Sequence, residues 1–353
     1  MEMDAEVAII GAGPLGIELA IALKQNGITC LQFDKGQVAQ AIYDFPFQTQ
    51  FFSSSERIGI AGIPVQTDDQ QKCTRERYLS YIRSVVLHNR LHINTYEEVR
   101  KIRSIPSLGF QLETVQGNTN KTYSARFVVL ATGGTSTPRR LNVPGEDLSH
   151  VSSRMEDPHC YFGKRVLIIG GKNSAVESAI RCFHAGAKPA LALRKSVFDE
   201  TEVKYWLLPE LLGRIKRKEI DLYPDCEVVE ISMNEVKLSS LKTGQIFGHF
   251  CDFVLKAIGF DADMSLFRQL GIELEVINEM PSYDENTMET NVPGIYVLGT
   301  AIGGTQKKYK VYIENTHHHV GKILASICEK LDQAIIQKPW YMKNYVPQGP
   351  LEE

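Results

Sequence analysis

Two stretches of the chain, residues 7–27 and 166–186, run through the same order of apolar and polar positions. Each starts with a short apolar run, passes through a glycine turn into residues with helical spacing, and ends at a glycine. That order predicts a strand, a tight turn and a helix, which together form the opening half of a βαβ unit. With Gly11 set against Gly170, identical residues fall at positions 7, 9, 10, 11, 18, 20, 21 and 27 of the first stretch and at their counterparts in the second. The chain therefore contains an internal duplication.

The first copy carries a G-x-G-x-x-G motif at Gly11, Gly13 and Gly16, directly after its strand. In such a motif the first glycine makes the turn, the second lets the backbone approach a pyrophosphate, and the third lets helix and strand pack closely. The next predicted strand, 29–33, ends at Asp34, which follows Gly16 by 18 positions. A ribose-binding acid is expected at roughly 20 positions. The first copy is therefore predicted to bind a dinucleotide.

The second copy keeps Gly170 but has Lys172 in place of the second glycine and Ala175 in place of the third. Lys172 either holds its side chain away from a closely packed site or offers its ammonium group to a phosphate. The next predicted strand, 190–193, ends in Arg194 and Lys195, not in an acid. Cations at this position attract a 2′-phosphate, so this copy is predicted to prefer NADPH over NADH. The alternative is that the two cations merely begin an exposed loop.

Further strands complete each half. Residues 127–133 and 253–259 are apolar runs that end in glycine, and residues 290–300 form a turn, an apolar strand and a glycine. The predicted fold class is α/β, with two Rossmann-like domains, the second being inserted in the first. The expected boundaries are 1–140 plus 265–335 for the first domain, 160–258 for the second, and 336–353 for a C-terminal tail that is docked or disordered.

Composition restricts the range of functions. The net charge of −3, with acids and bases well mixed, predicts binding neither to nucleic acid nor to a membrane. Seven widely spaced cysteines without a C-x-x-C motif argue against a disulfide framework and favour a cytoplasmic location. Three adjacent histidines, 317–319, point about 100° apart on a helix, so no metal site is expected and one or two of them should be exposed.

In this order the motifs resemble the flavoproteins of the low-molecular-weight thioredoxin reductase type, which have two dinucleotide-binding domains. The chain is most similar, within that group, to the bacillithiol-disulfide reductase-like family, and the resemblance covers nearly all of it. The stretches that carry it are 51–55 (FFSSS), 142–147 (NVPGED), 169–175 (IGGKNSA), 287–292 (TMETNV) and 312–315 (YIEN).

The resemblance implies two cofactor sites, with an NAD(P)H domain (160–258) inserted in an FAD domain (1–140 plus 265–335). The residues implied for FAD are Gly11, Gly13, Pro14, Gly16, Asp34, Lys35, Gly133, Gly299, Thr300 and Ile313. Those implied for NADPH are Gly170, Lys172, Asn173, Ser174, Arg194, Lys195 and Gly259. A helix entered near 313–316 would point its N-terminus at the flavin and favour negative charge on it. Similar architectures imply a homodimer.

Three departures from the family pattern concern the chemistry. The absence of C-x-x-C excludes the internal dithiol relay of a thioredoxin reductase. Thr300 follows Gly299 where the wider group has an aspartate, and Leu15 follows Pro14 where bacillithiol-type proteins typically have a cysteine. These differences place a disulfide substrate in doubt, although they leave the fold unaffected.

The predicted reaction is hydride transfer from NADPH to FAD, followed by reduction of an unidentified acceptor, expected to be a small molecule, for which a low-molecular-weight disulfide, a quinone and an iron–sulfur partner stay open. No catalytic side chain is identified from the sequence. Two alternatives stay open. A flavin monooxygenase is suggested by the loose spacing of Pro144, Gly145, His150 and 161–165, and a non-catalytic redox sensor would turn over NADPH negligibly with any acceptor.

Overall fold

A computed structural model describes residues 3–69, 71–106, 108–306 and 310–340. The chain divides into two compact units, Met1–Thr137 with Asp261–Glu353 and Pro138–Phe260. We call them the discontinuous unit and the inserted unit. None of the described helices is long and apolar enough to cross a membrane. The predicted tail residues 341–353 lie outside the described residues.

The described elements follow in chain order. The strands are β1 Ala5–Ile10, β2 Cys30–Asp34, β3 Asn94–Thr95, β4 Glu97–Ile105, β5 Gly109–Gln116, β6 Thr119–Leu130, β7 Thr137–Pro138, β8 Val151–Ser152, β9 Arg165–Ile169, β10 Lys188–Ala192, β11 Asp221–Tyr223, β12 Cys226–Ile231, β13 Glu235–Ser240, β14 Ile246–Phe250, β15 Phe253–Lys256, β16 Phe260–Asp261 and β17 Ile295–Val297. The α-helices are α1 Pro14–Gln25, α2 Gln40–Tyr43, α3 Arg75–His88, α4 Asn173–His184, α5 Leu207–Lys216, α6 Ser265–Gln269 and α7 His317–Lys330.

The discontinuous unit is built on a seven-stranded sheet of order β3-β2-β1-β6-β5-β4, with β17 also paired to β6. Strands β3, β2, β1, β6 and β17 are parallel, whereas β4 and β5 form an antiparallel meander on β6. Alternate side chains of β1 enter two cores, as the two-residue period of a strand requires. Val7 and Ile9 pack against α1 and α7, and Ala8 and Ile10 pack against the meander.

The inserted unit repeats these layers on a smaller scale. Its five-stranded sheet, β11-β10-β9-β15-β8, is parallel throughout. Val166 and Ile168 of β9 pack against α4 and α5, whereas Leu167 and Ile169 face the β12–β13–β14 meander. The prediction of two Rossmann-like folds, one inserted in the other, is confirmed.

The duplication extends to single hydrogen bonds. At the end of β1, Gly11 N–H donates to Phe33 O (2.7 Å) and Ala131 N–H donates to Ile10 O (2.8 Å). At the end of β9, Gly170 N–H donates to Ala192 O (3.0 Å) and Ala257 N–H donates to Ile169 O (2.9 Å). Both helices also end in the same way.

Gly27 and Gly186 have φ of +72° and +78°, and they close α1 and α4 in the left-handed conformation that glycine favours. The next residues, Ile28 and Ala187, donate back to Leu23 O and Cys182 O. The two glycines predicted to end the helices therefore do so.

A buried ion pair stabilises the inserted unit. Glu146 and Lys256 are 3% and 7% exposed, and their charged atoms lie 2.7 Å apart. The N–H groups of Leu141 and Asn142 donate to the other carboxylate lone pairs, each at 2.8 Å. Burial alone would raise the pKa of Glu146, but the Lys256 hydrogen bond and the two N–H donors lower it to about 2.

Replacing this acid tests the ion pair. Glu146→Gln should lower the free energy of unfolding of the inserted unit by about 3 kcal/mol at pH 7, because Lys256 loses its counter-charge. The folded pKa lies below the unfolded value of about 4.3, so the stabilisation is present above that pH and is lost as the pH falls toward 2. Hydrogen exchange of peptides from residues 138–260 measures both effects. The exposed Glu227→Gln is the control, and an equal loss of protection in both variants would contradict the assignment.

Candidate functional site: two glycine cradles

In the discontinuous unit, the carboxyl ends of the parallel strands meet at one edge of the sheet, where ligands of such sheets bind. The residues that leave these strands are Gly11 after β1, Asp34 at the end of β2, Gly133 after β6 and Gly299 after β17. The structure thus brings these four of the predicted FAD residues together at this edge.

The three glycines of the first motif differ in what an added Cβ would meet. Gly11 has φ +119°, and a Cβ there would lie 2.2 Å from Ala131 O. A Cβ on Gly16 would lie 2.4 Å from Gly11 O, so the helix could not approach the strand this closely. At Gly13 a Cβ would meet nothing within 4 Å.

The helix beyond this turn begins at Pro14, and no side chain caps its N-terminus. Uncapped N–H groups and the positive end of the helix dipole attract phosphate. The turn at Gly11–Gly16 therefore fits the pyrophosphate of a dinucleotide.

Asp34 fits the ribose. Ala12 N–H donates to its Oδ2 and Gly36 N–H donates to its Oδ1, each at 2.8 Å. Burial raises the pKa of this carboxyl, and the two N–H donors oppose the rise. Each oxygen retains a second lone pair that can accept a ribose hydroxyl. Lys35 points away into an exposed ion pair with Asp263 (3.4 Å).

Gly299 and Thr300 form the other side of the site. Gly299 has φ +67°, and its N–H donates to His319 Nδ1 (3.3 Å). Burial lowers the pKa of His319 to about 3, so this ring stays neutral and can accept the bond. A Cβ on Gly133 would lie 3.7 Å from Thr300 Oγ1. His319 thus fixes the turn that carries Thr300.

Two buried polar atoms near this edge have no hydrogen-bond partner within the described part of the chain, namely Thr132 Oγ1 and Gln306 Nε2. Thr132 directly precedes Gly133, and Gln306 Nε2 lies 3.9 Å from where a Cβ of Gly134 would stand. Buried polar groups normally have partners, so these atoms are consistent with a polar ligand.

Helix α7 begins at His317, one residue after the range 313–316 predicted for its start. Ile313 lies in the preceding turn and is partly buried against two cores that both include α1, one of which also includes α7. Ser53 donates a hydrogen bond to Glu314. Two of the stretches that carry the family resemblance, 51–55 and 312–315, are therefore in contact.

His317 lies between two hydrogen-bond acceptors. Its Nδ1 lies 2.7 Å from Glu18 Oε2 and its Nε2 lies 3.1 Å from Arg57 O. Since both neighbours are acceptors, both ring nitrogens must carry protons. Burial lowers the pKa of His317, but the Glu18 carboxylate and the Arg57 carbonyl outweigh it, and the net shift is upward. Trp340 donates to the second oxygen of Glu18 (2.5 Å).

One or two of the three adjacent histidines were expected to be exposed, and one of them is. Only His318 is exposed, whereas His317 and His319 are 2% and 3% exposed. Both buried rings hold specific partners, at Glu18 and at Gly299. Among the described residues no cluster of His, Cys, Asp or Glu could hold a metal ion.

The inserted unit carries a second cradle. Gly170 has φ +138°, and a Cβ there would lie 2.4 Å from Ala257 O, the counterpart of the Gly11 contact. A Cβ on Gly171 would lie 2.1 Å from Leu193 Cδ1. Helix α4 follows Lys172 and has no side-chain cap at its N-terminus. This turn also fits a phosphate.

The polar residues predicted for NADPH lie around this turn. Lys172 Nζ is 2.7 Å from Glu202, and Lys195 Nζ is 3.2 Å from Asp199 and 3.3 Å from Glu202. Asn173 Oδ1 accepts from Lys204 N–H (2.7 Å). Ser174 and Arg194 are exposed, and Gly259 follows β15 at the same edge of the sheet.

Sequence reasoning missed Glu202, Asp199, Glu18 and His319. For the first two a signal existed, because acids at positions 199, 200 and 202 follow the basic pair 194–195 closely. For Glu18 and His319 there was none, since their partners are about 300 and 20 residues away along the chain.

Comparisons with known proteins agree with this geometry. The family described as pyridine nucleotide-disulphide oxidoreductase matches residues 8–299. Bacilliredoxin reductase Bdr of Bacillus subtilis (strain 168) is 34% identical, over 93% of this chain and 99% of the relative. The structure of bacillithiol disulfide reductase Bdr (YpdA) from Bacillus cereus superposes with a TM-score of 0.86 at 32% identity, covering 92% and 99% of the two chains. Thioredoxin reductase from T. acidophilum, at 22% identity over 94% and 100%, shares the fold with a TM-score of 0.70.

Fold and cradles together define a flavoprotein oxidoreductase with two dinucleotide-binding domains. The chain belongs to the pyridine nucleotide-disulphide oxidoreductase family. The predicted resemblance to the bacillithiol-disulfide reductase-like group is confirmed, and so is an FAD-dependent oxidoreductase that uses NADPH.

Two alanine substitutions separate folding from cofactor binding in the first cradle. Gly11→Ala should lower the free energy of unfolding by at least about 2 kcal/mol, because its Cβ meets a backbone carbonyl at positive φ. Gly13→Ala should cost less than about 1 kcal/mol but should lower FAD binding, since its Cβ enters the proposed phosphate space. Urea unfolding and bound-flavin absorbance provide the two readouts. Equal stability of Gly11→Ala and the wild-type protein would refute the close contact.

The charge on His317 predicts a pH dependence of stability. Since the folded pKa is raised, the stabilisation by the ion pair is complete below the unfolded pKa of about 6.5 and is lost as the pH rises through the folded value. His317→Gln should lower the free energy of unfolding by about 2 to 3 kcal/mol at pH 6 and by less at pH 9. Urea titrations across this range measure the difference, with His318→Gln as the exposed control. A loss that does not change between pH 6 and 9 would show that His317 is not charged.

Proposed function

We propose that the discontinuous unit binds FAD, that the inserted unit binds NADPH, and that the electron acceptor is a low-molecular-weight disulfide. The two uncapped glycine cradles, one per unit, are the observation on which this function rests. The boundaries proposed for binding are 1–140 plus 265–335 for FAD and 160–258 for NADPH.

The chain's own residues would act as follows. The Gly11–Gly16 turn and the α1 N-terminus would hold the FAD pyrophosphate, and Asp34 would accept hydroxyls of its ribose. Gly133, Gly299 and Thr300 would close around the cofactor. Gly170, Asn173 and Ser174 would hold the NADPH pyrophosphate, with Arg194 and Lys195 on its 2′-phosphate. When bound, FAD supplies the two-electron chemistry between the nicotinamide and the acceptor.

The names of two relatives support a disulfide as acceptor, since one is a bacilliredoxin reductase and the other a bacillithiol disulfide reductase. Each is at least 30% identical over almost its whole length. The acceptor is therefore proposed by similarity. How it would be reduced depends on the exposure and protonation of the cysteines of this chain.

The thiols of this chain do not form a relay. All seven cysteines, each within the described residues, are unpaired, and Cys160 is the exposed one among them. Burial raises the pKa of Cys30, Cys73 and Cys251 to about 11 and that of Cys182 to about 12. These groups stay protonated at neutral pH and are poor nucleophiles.

The apolar Leu15, which follows Pro14 of the first motif, lies beside Gly299 and is 6% exposed. With no thiolate at this position, electrons would pass from FAD to the disulfide without a protein thiol. We also propose a cytoplasmic homodimer. The unpaired cysteines support the location, and the architecture of similar proteins supports the dimer.

Spectroscopy and thiol blocking test this function together. The purified protein should carry flavin absorbance, NADPH should bleach it without oxygen, and bacillithiol disulfide should restore it. Cys160→Ser and alkylated protein should retain the rate of restoration within about twofold, because no exposed thiolate takes part. Light scattering of the same sample reports the dimer.

Other outcomes favour other functions. Loss of disulfide reduction on alkylation, with quinone reduction preserved, would establish a thiol relay. Absence of bleaching by either nucleotide would favour the sensor, and oxygen-dependent hydroxylation of a substrate would favour a monooxygenase.

A further inference from the structure

Two lysines of the second cradle share one carboxylate. Lys172, just before α4, and Lys195, just after β10, lie 2.7 Å and 3.3 Å from the two oxygens of Glu202. Asp199 holds Lys195 from a second side at 3.2 Å. The Lys172 hydrogen bond lowers the pKa of Glu202, so this acid is ionised at neutral pH.

The segment that carries these acids is fixed to the cradle. Lys204 N–H donates to Asn173 Oδ1 (2.7 Å), and Lys204 Nζ lies 3.7 Å from Glu177 in α4. Asp199 Oδ1 accepts the N–H and hydroxyl of Thr201, which shapes the turn. Glu202 is therefore held among groups that belong to the nucleotide-binding turn, and its side chain is only 21% exposed.

A phosphate that reached either lysine would meet a carboxylate already bound there. We propose that Glu202 is a resident counter-anion that the coenzyme must displace from Lys172 and Lys195, which makes it a determinant of affinity and of 2′-phosphate specificity. This rests on the proposed function, in which NADPH occupies the inserted unit.

The two lysines make the effect different for the two coenzymes. Lys172, next to the α4 N-terminus, is suited to the pyrophosphate that NADP⁺ and NAD⁺ share, whereas Lys195 is suited to the 2′-phosphate that only NADP⁺ has. NADP⁺ must displace Glu202 from both lysines, but NAD⁺ must displace it from Lys172 alone. Asp199 competes at Lys195 only, so it opposes NADP⁺ and not NAD⁺.

Isothermal titration of the flavin-loaded protein with NADP⁺ and NAD⁺ tests this without turnover. Because partly exposed ion pairs are individually weak, Glu202→Gln should tighten NADP⁺ binding about five- to tenfold and NAD⁺ binding about two- to threefold. Asp199→Asn should tighten NADP⁺ about two- to threefold and leave NAD⁺ unchanged. The matched control is Glu200→Gln, which removes the same charge from an exposed neighbour and should change neither.

Salt provides a second readout. In the wild-type protein a coenzyme phosphate replaces the Glu202 carboxylate at the lysines. In Glu202→Gln the phosphate binds lysines that have already lost this carboxylate. NADP⁺ affinity should therefore fall more steeply with ionic strength in the variant.

The outcomes distinguish the two levels of the proposal. A wild-type protein that binds neither nucleotide overturns the proposed function itself. A wild-type protein that binds NADP⁺, with Glu202→Gln equal to it or weaker, overturns only the role of Glu202 and shows that this acid orients the lysines. If Glu200→Gln tightened coenzyme binding equally, the effect would follow from the loss of any nearby negative charge. That result would also overturn the role of Glu202.

Discussion

The fold depends on two places where the backbone leaves no room for a side chain. A Cβ at Gly11 would lie 2.2 Å from Ala131 O, and a Cβ at Gly170 would lie 2.4 Å from Ala257 O. Each alanine directly follows the neighbouring parallel strand, β6 or β15. Both glycines have φ values that L side chains rarely adopt. The strand end, the helix start and the uncapped N–H groups are all set by this contact. A phosphate cradle is therefore a direct result of how strand and helix are joined.

This constraint explains why so much could be predicted from the sequence. A glycine requirement is local, so it is visible in the order of residues, and here it appears twice at one spacing. The strand–turn–helix units, the closing glycines at 27 and 186 and the two-domain class were all predictable in this way. Strand ends moved by up to three residues, as at Leu130 and Lys256, which end β6 and β15 before the predicted glycines, since propensity does not fix the last hydrogen bond.

The side-chain partners could not be predicted, because they come from distant parts of the chain. Glu18 meets His317 across 299 positions, and Trp340 then completes the same network. Nothing in a run of three histidines shows which ring is charged. The surroundings decide the charge of each ring. Both nitrogens of His317 face acceptors, which favours a proton on each, whereas burial and the Gly299 N–H keep His319 neutral.

The two cradles differ in the charge that surrounds them, and the difference matches what each coenzyme must do. At the first, Asp34 is held by backbone N–H groups, and Lys35 pairs with Asp263. At the second, two lysines are already neutralised by Glu202 and Asp199. A flavin remains bound through many turnovers, so nothing is gained by weakening its site, whereas NADP⁺ must leave after each one. A carboxylate that recaptures the lysines would lower the affinity for the product and speed its release, while the double charge of a phosphate still lets NADPH displace it.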